Sequence, residues 1–285
     1  MKDNTKGLLI ILALYAVSFG IGLIPFILIE NLFLAAAAFT AVATALIFIA
    51  SVIFADVSVY DPYWSVAPVL ILAAAMIKYG YCNVNSFLLL GITLVWSVRL
   101  TGNWFVTYKG LGHEDWRYAM YREKYPPFVF QIISFAGLHF VPTVVVYLGL
   151  VSGLFAIREL LFAPLSIFGI LVMLSAVALE FISDRAIHRF LRAHPGERKT
   201  CNISVWKYSR HPNYLGEMSF WTGMFLYFLP LCPGRWYFGL GFLTIIALFL
   251  TVSIPMMEKH NAERRPDYAE YQAKTSVLLL LPNKK

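Results

Sequence analysis

Residues 7–29 read GLLIILALYAVSFGIGLIPFILI, a run of 23 positions without a single charged side chain. A helix rises about 1.5 Å per residue, so about 20 apolar residues cross the roughly 30 Å hydrocarbon core of a bilayer. The run is too long for the apolar core of a signal peptide, and no small-residue cleavage site follows it. We therefore expect a retained membrane-spanning helix here.

Further apolar runs follow along the chain. Five are long enough to span a membrane: 32–55, 130–151, 161–182, 213–231 and 236–256. Two shorter runs, 66–77 and 87–98, predict either two short helices or one re-entrant hairpin. Lipid offers the backbone no hydrogen-bond partner, so crossing segments must be helical. The pattern predicts an all-α, polytopic membrane bundle of about seven to eight transmembrane helices, without a Rossmann domain.

The composition excludes several classes of protein. Hydrophobic residues make up 59% of the 285 residues and charged residues 14%, against about 25% charge in a typical soluble domain. A soluble enzyme, a disordered chain and a disulfide scaffold are therefore excluded. The three cysteines match no metal or redox spacing, and we expect no metal site. Without repeats or linkers, we expect two N-terminal helices (1–55) and one integrated membrane domain (56–285).

The basic residues are distributed unevenly. Of the 23 Lys and Arg residues, 20 lie in the N-terminal stub and in segments 99–127, 184–210 and 258–285. Either arrangement of the two short runs puts these segments on one side, which the positive-inside rule makes cytoplasmic. We expect a multi-pass protein of the bacterial inner membrane or the endoplasmic reticulum, with both termini and any cofactor site cytoplasmic. The expected partners are membrane lipids and a lipophilic small molecule, not nucleic acid; the oligomeric state is left open.

Ionisable side chains are costly within a membrane and are therefore candidates for function. Glu180, Asp184 and His188 recur every fourth residue, so they share one face of a predicted helix as it leaves the bilayer. Arginines at positions 185, 189 and 192 form an adjacent stripe. The alternative is a helix end with i,i+4 pairs and arginines that extend to the membrane surface.

The stretch 208–217, YSRHPNYLGE, contains a second set of candidates. Pro212 suits the first position of a helix, and the free amides of that helix start favour an anion beside Arg210. Asn213 and Glu217 are four residues apart and share a face, with Glu217 about 6 Å deeper.

Three more segments mix aromatic and charged residues at predicted membrane boundaries. They are 61–65 (DPYWS), 99–104 with 112–118 (RLTGNW and GHEDWRY), and the tail 258–271. Asp61 is either a turn residue or an acid at the mouth of a cavity. The tail is too charged to span, and we expect it to lie along the membrane face as a lid or brace. No Gly-rich phosphate loop of the Rossmann or P-loop type occurs.

These motifs resemble the steroid 5-alpha-reductase-like membrane family. The resemblance rests on 183–184, 195–197, 208–217 and the tail 258–282, with 61–65 and 114–118 extending it, and covers about residues 56–282. It is closest to a branch whose substrates are poorly defined. Sterol reductases and isoprenylcysteine or phospholipid methyltransferases share the R-H-P-x-Y core of the motif.

The resemblance implies NADPH bound from the cytosol and reduction of a double bond conjugated with a carbonyl, in a steroid-like or other lipid enone. It puts Asp184 and Asn213 at cofactor contacts and Glu217 at the acid beneath the nicotinamide. In animal steroid reductases a glutamate and a tyrosine polarise the substrate carbonyl. The glutamate falls nearest Asp61, whereas the tyrosine falls nearest Trp96, which cannot serve as an acid.

The complete set of candidates follows from the residues and the resemblance together. The catalytic candidates are Asp61 and Tyr63. The NADPH-binding candidates are Arg99, Asn103, Arg117, Asp184, Arg192, Lys199, Tyr208, Arg210, His211, Asn213, Tyr214, Glu217, Glu258 and Tyr268. Two alternatives stay open at this point: an S-adenosylmethionine-dependent membrane methyltransferase, and a non-enzymatic lipid-binding membrane protein or transporter.

Overall fold

A computed structural model describes the backbone of residues 2–283 and the side chains of residues 5–283. Within that range the regular structure is helical, and Ser209 and Ser276 form an isolated parallel bridge. The predicted all-α fold class is confirmed. Met1, Lys284 and Lys285, which belong to predicted cytoplasmic segments, lie outside the described residues. The helices are α1 (Lys2–Leu28), α2 (Leu32–Ile53), α3 (Tyr63–Tyr79), α4 (Val84–Thr107), α5 (Trp116–Lys124), α6 (Pro127–Ile133), α7 (Val141–Ala156), α8 (Ile167–Ala193), α9 (Pro212–Phe228), α10 (Phe242–Leu248), α11 (Ile254–Arg264) and α12 (Tyr268–Lys274).

Seven helical segments in the described part of the chain are long and apolar enough to cross a membrane. They are Thr5–Leu28, Leu32–Ile53, Val57–Tyr79, Val84–Thr107, Pro127–Ala156, Pro164–Ala193 and Pro233–Arg264. Helix α9 has 17 residues and occupies most of the predicted span 213–231. The chain is therefore an integral, multi-pass membrane protein, as predicted.

The two short apolar runs lie in two separate helical segments of 23 and 24 residues, each long enough to cross a bilayer. Gly80, with a φ of 68°, ends the first of them, and the Asn83 side chain caps the start of the second. The predicted limits were too short because polar residues such as Arg99 and Asn103 continue the helix. This geometry favours two crossings over a re-entrant hairpin.

The packing divides the chain into two compact units, residues 1–161 and 162–285. In the first unit, α1 packs along α2, and α2 also contacts α3 and α7. In the second unit, the closest pair is α8 and α9. The predicted domain boundary at 55–56 stays a prediction.

The first unit has two distinct ends. At one end, Gly7 of α1 lies against Tyr108, whose hydroxyl would be 2.4 Å from a Cβ at that position. Asp56, which follows α2, accepts a hydrogen bond from the Gly112 amide at the same end. The beginning of the apolar part of α1 at Gly7 and the segment after α4 therefore lie together, as the topology prediction requires. Which side of the membrane they face stays a prediction.

The opposite end of this unit contains a basic residue that the charge pattern leaves unexplained. The Lys78 ammonium donates hydrogen bonds to the carbonyl oxygens of Phe26 and Ile29. These carbonyls belong to the last turn of α1 and its exit, where helix geometry leaves acceptors unpaired and the helix dipole is negative. Lys78 is therefore accounted for as a helix cap.

In the second unit, glycines bring α8 and α9 unusually close. A Cβ at Gly169 would lie 2.3 Å from the Tyr227 amide nitrogen, and one at Gly216 would lie 2.4 Å from Glu180 Cγ. Small residues allow such backbone contact between membrane helices. As a result the Glu180 side chain is pressed directly against the first turns of α9.

Two helical segments contain a π-helical stretch, Ser134–Phe140 and Phe249–Ser253. Each precedes a proline at the start of the next helix, Pro142 and Pro255. Proline has no N–H to continue the regular hydrogen-bond ladder, so a wider turn accommodates it. π-Helical turns are frequent at functional sites, and the first one contains the fully buried His139.

Candidate functional site

In the first unit, Asp61 lies directly before α3 and is half-buried. The Tyr118 hydroxyl, from α5, donates a hydrogen bond to Asp61 Oδ1 at 2.5 Å. Burial, and next the negative charge of Asp61, raise the pKa of Tyr118, so its hydroxyl stays a proton donor. Arg117 Nε donates to Asp115 Oδ1 at 2.8 Å, and the Arg117 guanidinium lies 5.3 Å from the Tyr118 ring.

Tyr118 was not among the predicted site residues, although it ends the quoted stretch 112–118. Its partner Asp61 lies 57 positions away. Spacing along a sequence identifies residues on one helix face, but it does not reveal a contact between two separate helices. The only indication of Tyr118 in the sequence was its surroundings, since an arginine and two acids lie within the four residues before it.

Two other carboxylates hold α5 in place. Asp56 accepts hydrogen bonds from the Ser58 and Gly112 amides, both at 2.9 Å. Glu114 accepts one from the Val57 amide at 2.9 Å and pairs with Arg122 at 2.6 Å. These bonds fasten the loop before α5 to the turn before α3, which brings Tyr118 to Asp61.

The second catalytic candidate, Tyr63, lies inside the unit. It is 1% exposed, and its hydroxyl donates to the Thr40 carbonyl oxygen at 3.1 Å. Beside it, the hydroxyls of Tyr60 and Thr143 are 2.9 Å apart, as are those of Thr143 and Thr44. Asp61 therefore belongs to a charged cluster at one end of the unit, whereas Tyr63 adjoins a row of buried neutral hydroxyls.

Three cofactor candidates also belong to the first unit. Arg99 and Asn103 lie one turn apart on α4, and Arg117 is paired with Asp115. The Asn103 Oδ1 atom is buried and has no hydrogen-bond partner among the described residues. A buried polar atom of this kind needs a partner, so Asn103 keeps capacity for a ligand. The roles of all three stay predictions.

In the second unit, three acids are buried within the α8–α9 pair. Glu180, Asp184 and Glu217 are 0%, 9% and 4% exposed. The Trp221 indole N–H donates to Glu217 Oε1 at 2.9 Å from one turn further along α9. Trp221 was not predicted, although its i,i+4 spacing from Glu217 was a signal in the sequence.

The remaining candidates on α9 lie at its first turn. Asn213 is half-buried and shares a helix face with Glu217, as its spacing predicted. The Tyr214 ring stacks on the His211 ring at 5.3 Å between centroids. Tyr208, which precedes the helix, is 42% exposed.

Basic residues surround the far end of α8. Arg185, Arg189 and Arg192 are exposed, and Arg192 Nε donates to the His188 carbonyl oxygen at 3.2 Å. Lys199 pairs with Glu197 at 2.6 Å, but both side chains are largely exposed. Exposed pairs of this kind contribute little, so Lys199 can exchange its partner for an anionic ligand.

Four predicted cofactor residues form one closed cluster. The Glu258 carboxylate accepts hydrogen bonds from Arg210 Nε at 3.0 Å, His211 Nε2 at 2.7 Å and the Tyr268 hydroxyl at 2.6 Å. Gln272 donates to its other oxygen at 2.8 Å, where Arg210 makes a second contact at 2.9 Å. We call Arg210, His211, Glu258, Tyr268 and Gln272 the Glu258 cluster.

The Glu258 cluster fastens the C-terminal tail to the start of α9. Arg210 also donates to the Gln272 and Thr275 carbonyl oxygens, both at 2.8 Å. The Arg210 amide bonds to the Ser276 carbonyl oxygen at 2.9 Å. These contacts give the tail the form of a brace. A cofactor role for these residues stays a prediction, and it would require them to exchange existing partners.

A second fastening of the tail was not predicted. Asp267 accepts hydrogen bonds from both the amide and the hydroxyl of Thr200, the hydroxyl at 2.6 Å. Burial opposes ionisation, but the Thr200 bonds outweigh it and lower the pKa of Asp267 below 3.8.

Among the described side chains, no group of three or more His, Cys, Asp or Glu residues is arranged to hold a metal ion.

Comparison with known proteins gives one match. The profile of a family described as "Protein of unknown function (DUF1295)" matches residues 47–275. No curated protein and no solved structure matches the chain. Because the matched range covers most of the 285 residues, the chain belongs to the DUF1295 family, which is known as steroid 5-alpha-reductase-like.

Proposed function

We propose that this protein is a membrane-embedded, NADPH-dependent reductase of a conjugated double bond in a lipophilic substrate. The observation that supports it most is the gradation of charge along α8. Buried acids, Glu180 and Asp184, lie within the apolar part, and exposed arginines follow at the helix end. Buried carboxylates within membrane helices are costly and are usually retained for function. Membership in a steroid 5-alpha-reductase-like family agrees with the proposal.

The chemistry of these residues fits NADPH. Carboxylates accept hydrogen bonds only, so Asp184 and Glu217 suit amide N–H groups and ribose hydroxyls. The arginines at the end of α8 suit phosphates, which guanidinium groups bind with charge-assisted hydrogen bonds. When bound, NADPH supplies the hydride that adds to the double bond. Asn213, on the same face as Glu217, offers one donor group and one acceptor.

The protein must also stabilise the negative charge that develops on the substrate during hydride addition. Addition to an enone builds negative charge on its carbonyl oxygen, and a preorganised donor lowers that barrier. Tyr63 is a neutral donor within the first unit. Asp61 can donate only when it is protonated. Because the Tyr118 hydroxyl donates to Asp61 Oδ1, the proton of a protonated Asp61 would lie on its Oδ2 atom. A positioned acid contributes about 10²–10⁴-fold to rate.

The buried carboxylates also suit a second cofactor. The sulfonium of S-adenosylmethionine is a cation, and Glu180, Asp184 and Glu217 would stabilise it. A methyltransferase is therefore the second candidate.

We further propose that the chain belongs to the branch of its family with poorly defined substrates, on the basis of its 61–65 and 114–118 motifs.

Thermal stabilisation of the purified protein distinguishes the two cofactors. A ligand at 100 times its Kd adds about 2.7 kcal/mol to the stability of the folded state. We expect NADPH to raise the Tm and S-adenosylmethionine to leave it unchanged. Stabilisation by S-adenosylmethionine alone would reverse the proposal, and stabilisation by neither would favour a non-enzymatic lipid-binding protein.

The variant Glu217→Gln tests the cofactor site itself. It preserves size but replaces a charge-assisted hydrogen bond by a neutral one, so NADPH binding should weaken by about 1–3 kcal/mol. The matched control is Glu263→Gln, an exposed position on α11. Unchanged NADPH affinity in Glu217→Gln and in Asn213→Ala together would place the nicotinamide elsewhere.

A further inference from the structure

The segment 277–281, which reads VLLLL, carries apolar side chains that the second unit leaves uncovered. Four of them are between 41% and 56% exposed: Val277, Leu279, Leu280 and Leu281. The segment follows the seven membrane-spanning segments of the described chain, and it is too short to cross a bilayer itself. We call residues 277–281 the leucine segment. Its exposure does not follow from membership in a membrane-spanning helix.

The leucine segment is fastened to the stretch that precedes α9. The Ser209 hydroxyl donates to the Leu278 carbonyl oxygen at 2.7 Å, and the Leu281 amide donates to the Tyr208 carbonyl oxygen at 3.3 Å. Because the backbone is bonded at these two points, the segment cannot turn its exposed leucines into the protein. The apolar surface is therefore a permanent feature of this unit.

Two helices of the second unit fix the level of this surface relative to the bilayer. The Trp206 indole N–H donates to the Ser183 carbonyl oxygen at 2.9 Å, directly beyond the long apolar run of α8. Tyr208 lies four residues before Pro212, the first residue of α9. The stretch 206–210 is therefore at the membrane surface, and the leucine segment bonded to it is at the same level.

The side chains beside the leucine segment are typical of a membrane interface. Tyr208 is exposed, and the Lys207 ammonium lies 6.0 Å from the centre of its ring. Lys274, three residues before the segment, is also exposed, and so is its pair with Glu270. Tyrosine is enriched where a membrane meets water, and lysines at that level are attracted to anionic headgroups. Apolar side chains bordered by these residues are complementary to a lipid leaflet.

The neighbouring helix shows that lipid is present at this level. Phe181 and Ile182, directly before Ser183 on α8, are exposed. Exposed apolar side chains at the end of a membrane-spanning helix contact acyl chains. The hydrogen bond from Trp206 to Ser183 links this end of α8 to the stretch that holds the leucine segment. Lipid is therefore the occupant that the position of the segment favours.

We propose that the leucine segment is an interfacial membrane contact, whose exposed side chains insert into the lipid leaflet beside the start of α9. Lys207 and Lys274 contact anionic headgroups. Interfacial helices bury their apolar faces about 5–10 Å into the boundary between headgroups and acyl chains, and we expect a similar depth here. The assignment does not depend on the proposed reductase function. It makes the tail a brace that is fastened to the protein on one side and to lipid on the other.

Depth-dependent fluorescence quenching tests the insertion. The probe is an NBD fluorophore on Leu280→Cys, in the full-length protein reconstituted into nanodiscs with one copy each. The exposed native cysteine is removed by Cys82→Ser, whereas Cys201 and Cys232 are buried. The quenchers are phosphatidylcholines with a doxyl group at a defined depth, in bilayers with and without phosphatidylglycerol.

Two further labelled positions calibrate the depth. Phe181→Cys marks the end of the apolar run of α8, and Glu197→Cys lies beyond Ala193, the last residue of that helix. Ala193 is ten residues past Ser183, about 15 Å further from the bilayer at about 1.5 Å per residue. We expect the label at position 280 to be quenched as strongly as the label at 181. The label at 197 should keep its fluorescence.

Lysine substitutions test the headgroup contact. Phosphatidylglycerol should increase the quenching at position 280, and Lys207→Gln with Lys274→Gln should abolish the increase. Lys259→Gln, an exposed position on α11, is the control. An increase that persists in the double variant would refute this part of the assignment.

Deuterium uptake gives a second measurement without a label. Leu280→Gln with Leu281→Gln should increase uptake by the backbone of 277–281 in nanodiscs, because lipid no longer covers the segment. The matched control is Leu160→Gln with Leu161→Gln, two exposed leucines elsewhere in the chain, which should leave that uptake unchanged.

Two outcomes would overturn the insertion. The first is a label at position 280 that keeps its fluorescence as the label at 197 does, which would show that the segment faces water. The second is shielding of that label only in nanodiscs with two copies, which would identify the occupant as a second copy of the chain.

Discussion

Asp61 and Glu258 are carboxylates that each hold a tyrosine hydroxyl, Tyr118 at 2.5 Å and Tyr268 at 2.6 Å. Glu258 accepts four further contacts, from Arg210, His211 and Gln272. Among the described residues, Asp61 accepts a side-chain hydrogen bond from Tyr118 alone. A carboxylate has about four lone-pair sites, so Glu258 is saturated and Asp61 is not.

The difference separates two uses of a partly buried acid. A saturated carboxylate holds elements together and has no acceptor left for a ligand. An unsaturated one, fixed by a single strong bond, is oriented and still available. Both residues were predicted as site residues from sequence, and their surroundings are what distinguish them. The following predictions test this distinction.

Glu258→Gln should have the largest effect, and it should be on stability. Loss of the carboxylate leaves the Arg210 guanidinium, whose side chain is only 11% exposed, without its counter-charge. Removing one partner of a buried ion pair costs about 3–5 kcal/mol. Thermal unfolding in detergent measures this loss. Glu270→Gln is the control, because its Lys274 pair is exposed, and equal Tm values for both variants would contradict a structural role for Glu258.

Asp61→Asn should lower stability less than Glu258→Gln does, because the asparagine Oδ1 still accepts a neutral hydrogen bond from Tyr118. Under the proposed reductase function, with Asp61 as the acid, the rate of enone reduction should fall at least about 100-fold, the lower range for a positioned acid. NADPH oxidation with a lipid enone measures it. Glu123→Gln, exposed on α5, is the control for charge. A variant that is unstable but fully active would reverse the comparison and make Asp61 the structural acid.

Tyr118→Phe should cost less than the loss of Glu258. It preserves the packed ring and removes the hydrogen bond to Asp61, a loss of about 1.5–3 kcal/mol when the acceptor is charged. Tyr121→Phe, in the same packed group, should change stability by no more than about 0.5 kcal/mol. Chemical unfolding of both variants measures the difference. Equal stabilities would show that the short bond at Asp61 contributes nothing to the fold.

Acidification should have the smallest effect, confined to the tail. The folded-state pKa of Asp267 is lowered, so its contribution is present above the ordinary value of 3.8 and is lost as the pH falls through the folded value. The protection factor of the Thr200 amide against hydrogen exchange should therefore fall as the pH drops below 3.8. Asp267→Ala, which has no acceptor for the Thr200 amide, should exchange quickly at every pH. Slow exchange in that variant would show that the carboxylate does not protect this amide.

Much of the fold was predictable because it depends on one-dimensional features. Apolar runs of sufficient length must form helices in lipid, and the spacing of Asn213 and Glu217 determines a shared face whatever surrounds them. The same holds for Pro212 at the start of α9. Where polar residues continued a helix, as at Arg99 and Asn103, hydropathy underestimated its length.

The contacts of the candidate sites were less predictable. The sequence pointed to Asp61, Arg210 and Glu258 as unusual residues, because charges near a membrane segment are conspicuous. It could not show that Glu258 binds Arg210 across 48 positions, or that Tyr118 reaches Asp61. Such pairs depend on how helices pack, and many packings are compatible with the same apolar pattern.

By itself, the sequence determined the all-α membrane class, the approximate spans and the residues whose chemistry is exceptional, since these follow from local composition and helix geometry. Only the tertiary structure decided which acids are saturated, which tyrosine contacts Asp61 and how the tail is fastened. The physical reason is that hydrogen bonds and cavities depend on distances of a few tenths of an ångström between segments far apart in the chain. Those distances are set by side-chain packing, which no periodicity along a single segment encodes.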